Sequence, residues 1–249
     1  MIILKSPSAL ACMRDAGRIV ARVLERLREI VRPGSTTAQL EEEACALIAR
    51  EGGRPSFKGY RGFPAAICVS INEEVVHGIP SPCRVLAEGD IVSLDVGVIY
   101  RGYQGDAAIT LPVGRVGPEA QRLLAVTERA LWEGIAQSRR GSWTGDISAG
   151  IQRYVESQGF NVVREYTGHG IGHSMHEDPQ IPNFGRPGTG CRLRPGMTFA
   201  LEPMVIAGDW KTRALGDGWT VVAADGALSA HFEHTIAVTE GQPEILTRL

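Results

Sequence analysis

The segment RPGSTTAQLEEEACALIAREGG, residues 32–53, has a counterpart in RRGSWTGDISAGIQRYVESQGF, residues 139–160. The two align without gaps at an offset of 107 residues. Gly34 coincides with Gly141, Ser35 with Ser142, Thr37 with Thr144 and Gly52 with Gly159, while Leu40/Ile147 and Ile48/Val155 keep one apolar face. Chance, or the shared grammar of two similarly capped helices, is one reading of this likeness. The reading with more consequence is a chain of two halves related by a pseudo-twofold, each a helix pair followed by strands.

Local chemistry sets the helix limits. Ile19, Val20, Val23, Leu24, Leu27, Ile30 and Val31 recur at helical spacing, which predicts a helix over residues 8–31, stopped by Arg32-Pro33-Gly34. Thr36-x-x-Gln39 has the form of a capping box and opens a second helix that runs to Gly52-Gly53. A third follows Gly117-Pro118, and a fourth starts near Thr144 and stops by Gly159.

Composition narrows the class. A chain of 249 residues with 43% hydrophobic content supports one large domain. The expectation is a single catalytic domain over residues 1–249, with halves of about 8–115 and 116–249. A formal net charge of −2 provides no global field toward nucleic acid or an anionic membrane. The five cysteines are odd in number and include no CxxC pair, which suits a reducing compartment and argues against a thiolate zinc site. MIILKSPSAL has no apolar run of signal-peptide length, so the expected location is cytoplasmic.

The strands carry the chemistry. In DIVSLDVGVIY (90–100), Val92, Leu94, Val96, Val98 and Tyr100 share one face, while Ser93, Asp95 and Gly97 share the other. GDAAIT (105–110) follows a short link and aligns Asp106 with Ala108 and Thr110. An even-numbered hairpin loop makes Asp95 and Asp106 diagonal neighbours; an odd one separates them. Glu202 in TFALEPMV and Glu233 in AHFEHTIAV repeat the arrangement, each opposite an apolar face. Asp95 and Glu202 are themselves 107 residues apart.

Four carboxylates converging without arginine or lysine on their strands call for divalent cations, because unpaired buried charges cost several kcal/mol. Oxygen-rich ligands with one imidazole suit Mn(II), Fe(II) or Co(II) over a thiolate zinc site. Two such ions roughly 3.5–4 Å apart lower the pKa of a shared water to about 7, which predicts amide or ester hydrolysis. His169, His173 and His176 crowd TGHGIGHSMHEDPQ (167–180), yet Gly168, Gly170, Gly172 and Pro179 oppose a zinc-binding helix there. His234 falls on the apolar side of its strand and reads as a satisfied core histidine.

In order and spacing, INEEVVHGIP (71–80), SLDVGV (93–98), GDAAIT (105–110), TGHGIG (167–172), MHEDPQI (175–181), FALEPM (199–204) and HFEHT (231–235) resemble the type I methionine aminopeptidases, in their short bacterial form. The resemblance implies the α+β pita-bread fold, with a curved antiparallel sheet and helices on its outer face. It implies five metal ligands, Asp95, Asp106, His169, Glu202 and Glu233, holding two divalent ions (Co, Mn or Fe(II), with Zn accommodated). It also implies three catalytic residues. His77 faces the scissile amide nitrogen, His176 stabilises the oxyanion, and Glu202 manages the water proton. The methionine pocket falls to Tyr60, Phe63, Cys68, His77, Met175, His176 and Trp219.

Several positions depart from the common family pattern. Phe57 stands for cysteine, Phe63 for tyrosine, Met175 for phenylalanine, Val76 for cysteine and His231 for glutamine. His231 lies on the strand face of Glu233, and His173 receives no role. The implied activity is removal of the N-terminal methionine from peptides and nascent chains when the second residue is small. The expected state is a monomer with no membrane partner and no specific nucleic acid, transient ribosome contact being left open. Activity is expected to fall in acid as His169 and the carboxylates protonate. The alternatives are an X-Pro peptidase of the prolidase or aminopeptidase P kind and a non-catalytic binding protein of the same fold.

Overall fold

A computed structural model describes all 249 residues. Four helices form where the caps place them: α1 (Pro7–Ile30), α2 (Thr37–Arg50), α3 (Pro118–Gln137) and α4 (Thr144–Ser157). Ser6 caps α1, its hydroxyl accepting from the Ala9 N–H at 3.2 Å. The α2 box is complete, with Thr36 and Gln39 each accepting from the other's backbone N–H. α4 keeps half of it. Asp146 Oδ2 accepts from the Trp143 N–H, whereas an indole has no oxygen with which to return the bond.

The repeat is a backbone repeat. Gly34 and Gly141 have φ of 90° and 88°, and Gly52 and Gly159 have φ of 77° and 79°. Gly34 N–H donates to Leu86 O and Gly141 N–H to Leu193 O; Leu86 and Leu193 return the bond to Ser35 O and Ser142 O. Isolated bridges join Thr36 to Val85 and Trp143 to Arg192. Each partner is displaced by the same 107 residues. The coincident glycines therefore mark positions where a left-handed turn is built twice.

Strand Ile91–Tyr100 is central to the first sheet, pairing with Cys68–Ile71 on one side and Tyr103–Pro112 on the other. Its hairpin loop is the two residues Arg101 and Gly102, both at positive φ. The resulting register sets Gly97 opposite Asp106 and Asp95 opposite Ala108, so the two aspartates are diagonal neighbours on one face. The other face (Val92, Leu94, Val96, Val98) packs on Val20, Val23, Leu27, Leu40 and Ile48 of α1 and α2. In the second sheet Thr198–Leu201 lies between Thr167–Gly170 and His234–Ala237. Phe199, Leu201 and Ile236 of this sheet, with Val205 and Phe232 beyond it, pack on Leu123, Leu131, Ile147 and Ile151 of α3 and α4. Each such side chain contributes about 1.5–3 kcal/mol on burial.

The structure corrects the strand reading at the two glutamates. Thr198–Leu201 ends before Glu202, and Met204–Ile206 begins a different sheet with Ser229–His231. Glu233 likewise lies between Ser229–His231 and His234–Ala237. Pro203 lacks the N–H a continuous ladder needs, and the chain changes sheets there. The face assignments survive. Glu233 and Ala108 exchange backbone hydrogen bonds of 2.9 and 3.4 Å, and Thr235 Oγ1 bonds the Asp106 backbone at 2.8 and 3.0 Å. These contacts join strands from the two halves of the chain beside the carboxylates.

Replacing Gly34 or Gly141 by alanine is expected to cost about 1–2 kcal/mol at each position, the penalty for an L-residue in the left-handed region. No atom lies within 4 Å of an added Cβ at Gly34, and only Arg192 Nη2, at 4.0 Å, approaches one at Gly141. Conformation alone is therefore at issue. Denaturant unfolding showing no loss at either site would contradict the turn assignment.

Candidate metal centre and substrate cavity

Asp95, Asp106, His169, Glu202 and Glu233 line one cavity of about 300 Å³, together with Tyr60, Phe63, Cys68, His77, Met175, His176 and Trp219. Every site residue expected from the sequence is thus brought to one place. Ligand atoms of Asp106, His169 and Glu233 all lie within 4.8 Å of one another. His169 Nε2 is 3.4 Å from Glu202 Oε1. Its Nδ1 lies 2.9 Å from Gly170 O, a contact that assigns the Nδ1 proton and leaves Nε2 free as a lone-pair donor.

No arginine or lysine comes within 4.0 Å of the four carboxylates. Burial pushes Asp95 up to about 7. Burial, reinforced by the neighbouring carboxylates, raises Asp106, Glu202 and Glu233 well above the ordinary carboxyl range. Burial also lowers the histidines: His169 and His231 to about 3, His77 to about 4, and His176 downward with help from Arg61. His169 is therefore neutral well into acid. Protons therefore compete with a cation chiefly at the carboxylates, which burial raises, and less at His169, which burial lowers.

Buried side-chain atoms without a hydrogen-bond partner number four in the whole chain: Asp95 Oδ1, Asp106 Oδ1, Glu233 Oε1 and His231 Nε2. All four are here. Buried polar groups are ordinarily satisfied, and oxygens left bare beside an imidazole lone pair form a donor set suited to hard or borderline divalent ions. The residues fit a metal.

Rings make the walls. The His176 and His169 rings are tilted by 39° with centroids 4.1 Å apart, and Tyr60 stacks with His176 at 5.4 Å. Tyr60 Oη is 2.9 Å from His176 Nδ1. His77 meets Tyr166 and Trp219 edge-on, and Trp219 meets Phe63 in the same way. His77 and Arg61 hold φ of 61° and 51°, which is strained for non-glycine residues and here lies at the cavity. Phe57 closes over Gly97, where an added Cβ would come within 2.6 Å of its ring.

Arg61, Glu165, Tyr166, Thr167 and Met204 also line the cavity and were missed in the sequence. Adjacency was the available signal: Tyr166 and Thr167 lead into TGHGIG, Arg61 follows Tyr60, and Met204 shares the strand face of Glu202. His173 lies elsewhere, stacked on Tyr103 at 4.0 Å with Nδ1 2.8 Å from Gly102 O, and it clasps the hairpin turn. His234 is bonded to Thr247 Oγ1 at 2.9 Å, so it is satisfied as expected, but it is half-buried and not a core residue.

Residues 11–240 match the model of metallopeptidase family M24. Methionine aminopeptidase 1 of Bacillus subtilis is 52% identical over 249 residues, covering 100% of both chains. The methionine aminopeptidase of Clostridium acetobutylicum is 51% identical over 99% of each. Among solved structures, the methionine aminopeptidase of Thermotoga maritima superposes with a TM-score of 0.99 at 49% identity, again over 100% of both chains. A prolidase from Pyrococcus furiosus gives a TM-score of 0.81 at 18% identity, with 99% of this chain covering 66% of that one, and shares the fold alone. The α+β pita-bread architecture follows from the first three, and the chain belongs to metallopeptidase family M24, in its methionine aminopeptidase branch.

Proposed function

We propose that this chain is a metal-dependent aminopeptidase that removes N-terminal methionine from peptides and nascent proteins when the second residue is small. The observation that carries this reading is a cluster of bare buried carboxylate oxygens in a cavity walled in part by aromatic and apolar side chains. Residues 1–249 act as one catalytic domain. Asp95, Asp106, His169, Glu202 and Glu233 hold two divalent ions, Mn(II), Fe(II) or Co(II), with Zn(II) accommodated; four carboxylates balance the charge of two such ions. When bound, the ions polarise the scissile carbonyl and acidify water.

The chain's own groups do the rest. Glu202 takes the proton of the attacking water and returns it to the departing amine. His176 donates from Nε2 to the carbonyl oxygen as it becomes an oxyanion. Tyr60 donates its hydroxyl proton to Nδ1 and so holds the His176 proton on Nε2, which makes it a positioning residue. His77, on strained backbone, faces the amide nitrogen. Phe63, Cys68, Met175 and Trp219, with the Tyr60 ring, provide a soft apolar surface for a thioether side chain. The enzyme acts as a cytoplasmic monomer, a location that suits five unpaired cysteines.

A methionine-Ala-Ser peptide is expected to be cleaved by the metal-loaded chain, and an X-Pro peptide is not; cleavage of the X-Pro peptide alone would overturn the reading in favour of a prolidase-like enzyme. His176→Ala is expected to lower kcat by roughly 100- to 1,000-fold, the scale of one oxyanion donor. Tyr60→Phe is expected to lower it about tenfold, the scale of one neutral hydrogen bond. Metal content should be retained in both, and an unchanged rate in either would remove its role. Because burial raises the ion-free carboxyls, Mn(II) binding at pH 7 is expected to release protons, and affinity should rise with pH. Calorimetry in buffers of different ionisation enthalpy that detects no proton release would contradict the assigned ligands.

A further inference from the structure

His231 is the imidazole at this site that the proposed chemistry leaves unused. Its strand, Ser229–His231, pairs with Met204–Ile206, and its own backbone is clamped by Thr110. His231 N–H donates to Thr110 Oγ1 at 2.8 Å, and Thr110 Oγ1 donates to His231 O at 2.7 Å. Ser93 Oγ, at 2.9 Å, supports the same hydroxyl. The side chain is 2% exposed. A rigid, buried backbone thus delivers this ring to the seam between the sheets.

His231 Nε2 has no hydrogen-bond partner, yet it lies 3.9 Å from Glu233 Oε2 and 4.0 Å from Glu202 Oε2. With ions bound and both glutamates ionised, a deprotonated Nε2 would set its lone pair against those of two carboxylates. A proton on Nε2 makes the same geometry attractive. One shared water, or a rotation of the carboxylates, spans the remaining gap.

We propose that His231 is a positioning residue: its Nε2–H orients the Glu202 and Glu233 carboxylates toward the bound ions from outside the ligand set. The inference rests on the five-ligand centre proposed above. Groups that hydrogen-bond a carboxylate ligand fix which of its lone pairs face the ion, and they raise affinity without touching the metal. The role needs an N–H at this reach, not a ring, so glutamine should fill it and an apolar side chain should not.

The test is Mn(II) titration of the ion-free chain, with Co(II) visible absorption as a second readout. His231→Leu is expected to weaken Mn(II) binding by about 10- to 100-fold, while His231→Gln stays within about threefold of the parent. The Co(II) bands should be unchanged in His231→Gln. Parent-like affinity in His231→Leu would overturn the proposal, and so would a loss in His231→Gln equal to that in His231→Leu, since packing would then explain both. A shifted Co(II) spectrum in His231→Gln would make the imidazole a ligand and also overturn it. Should His231→Leu fail to fold, His231→Met, with similar reach and no N–H, takes its place under the same criteria. A parent chain that takes up no Mn(II) would instead refute the centre itself.

Discussion

Four carboxyl groups buried within reach of one another, with no cationic side chain among them, are the constraint on which the remainder of this structure depends. Each unpaired buried charge costs several kcal/mol after relaxation. Burial accordingly shifts all four toward their protonated forms, and divalent cations offer the alternative compensation. Both sheets are shaped to make the gathering possible. Their apolar faces are spent on the four helices, and the opposite faces carry small residues beside the acids. Backbone bonds between Ala108 and Glu233 hold the two groups of strands in register at that point.

The organic side of the cavity depends on the inorganic side. Tyr60 and His169 both lie against the His176 ring, so the donor proposed for the oxyanion is braced against a proposed ligand. Two cavity residues, Arg61 and His77, hold backbone conformations that their side chains do not favour. Such strain persists only where surrounding contacts outweigh it. His77 is gripped by the edges of Tyr166 and Trp219, and Trp219 in turn is packed by Phe63. Rigid aromatic surfaces and a shaped apolar space suit a centre whose proposed work is orientation and charge stabilisation.

Much of the arrangement was legible because its signals are local. Glycines at helix ends, a Thr-x-x-Gln box and proline at a first helical position act within a few residues, and α1 to α4 formed where these occur. The 107-residue offset was legible in Gly34 and Gly141 because a left-handed φ admits few residues other than glycine. Strand faces followed from two-residue alternation, which placed Asp95 and Asp106 correctly once the loop proved to be two residues. The breaks at Glu202 and Glu233 were less visible. Pro203 was a hint, but alternation continues through both segments although the ladder does not.

By itself, then, the sequence determined the helices, the strand faces, the carboxylates and the histidine-rich segment, because backbone preference and burial periodicity are encoded in near neighbours. The tertiary structure alone decided that Asp106 meets Glu233 across 127 residues, that Tyr60 reaches His176 and that His173 does not enter the cavity. It also decided that His231 faces two glutamates with an unpartnered nitrogen. These are relations between side chains on different elements. They depend on how sheets curve and cross, which no local pattern records.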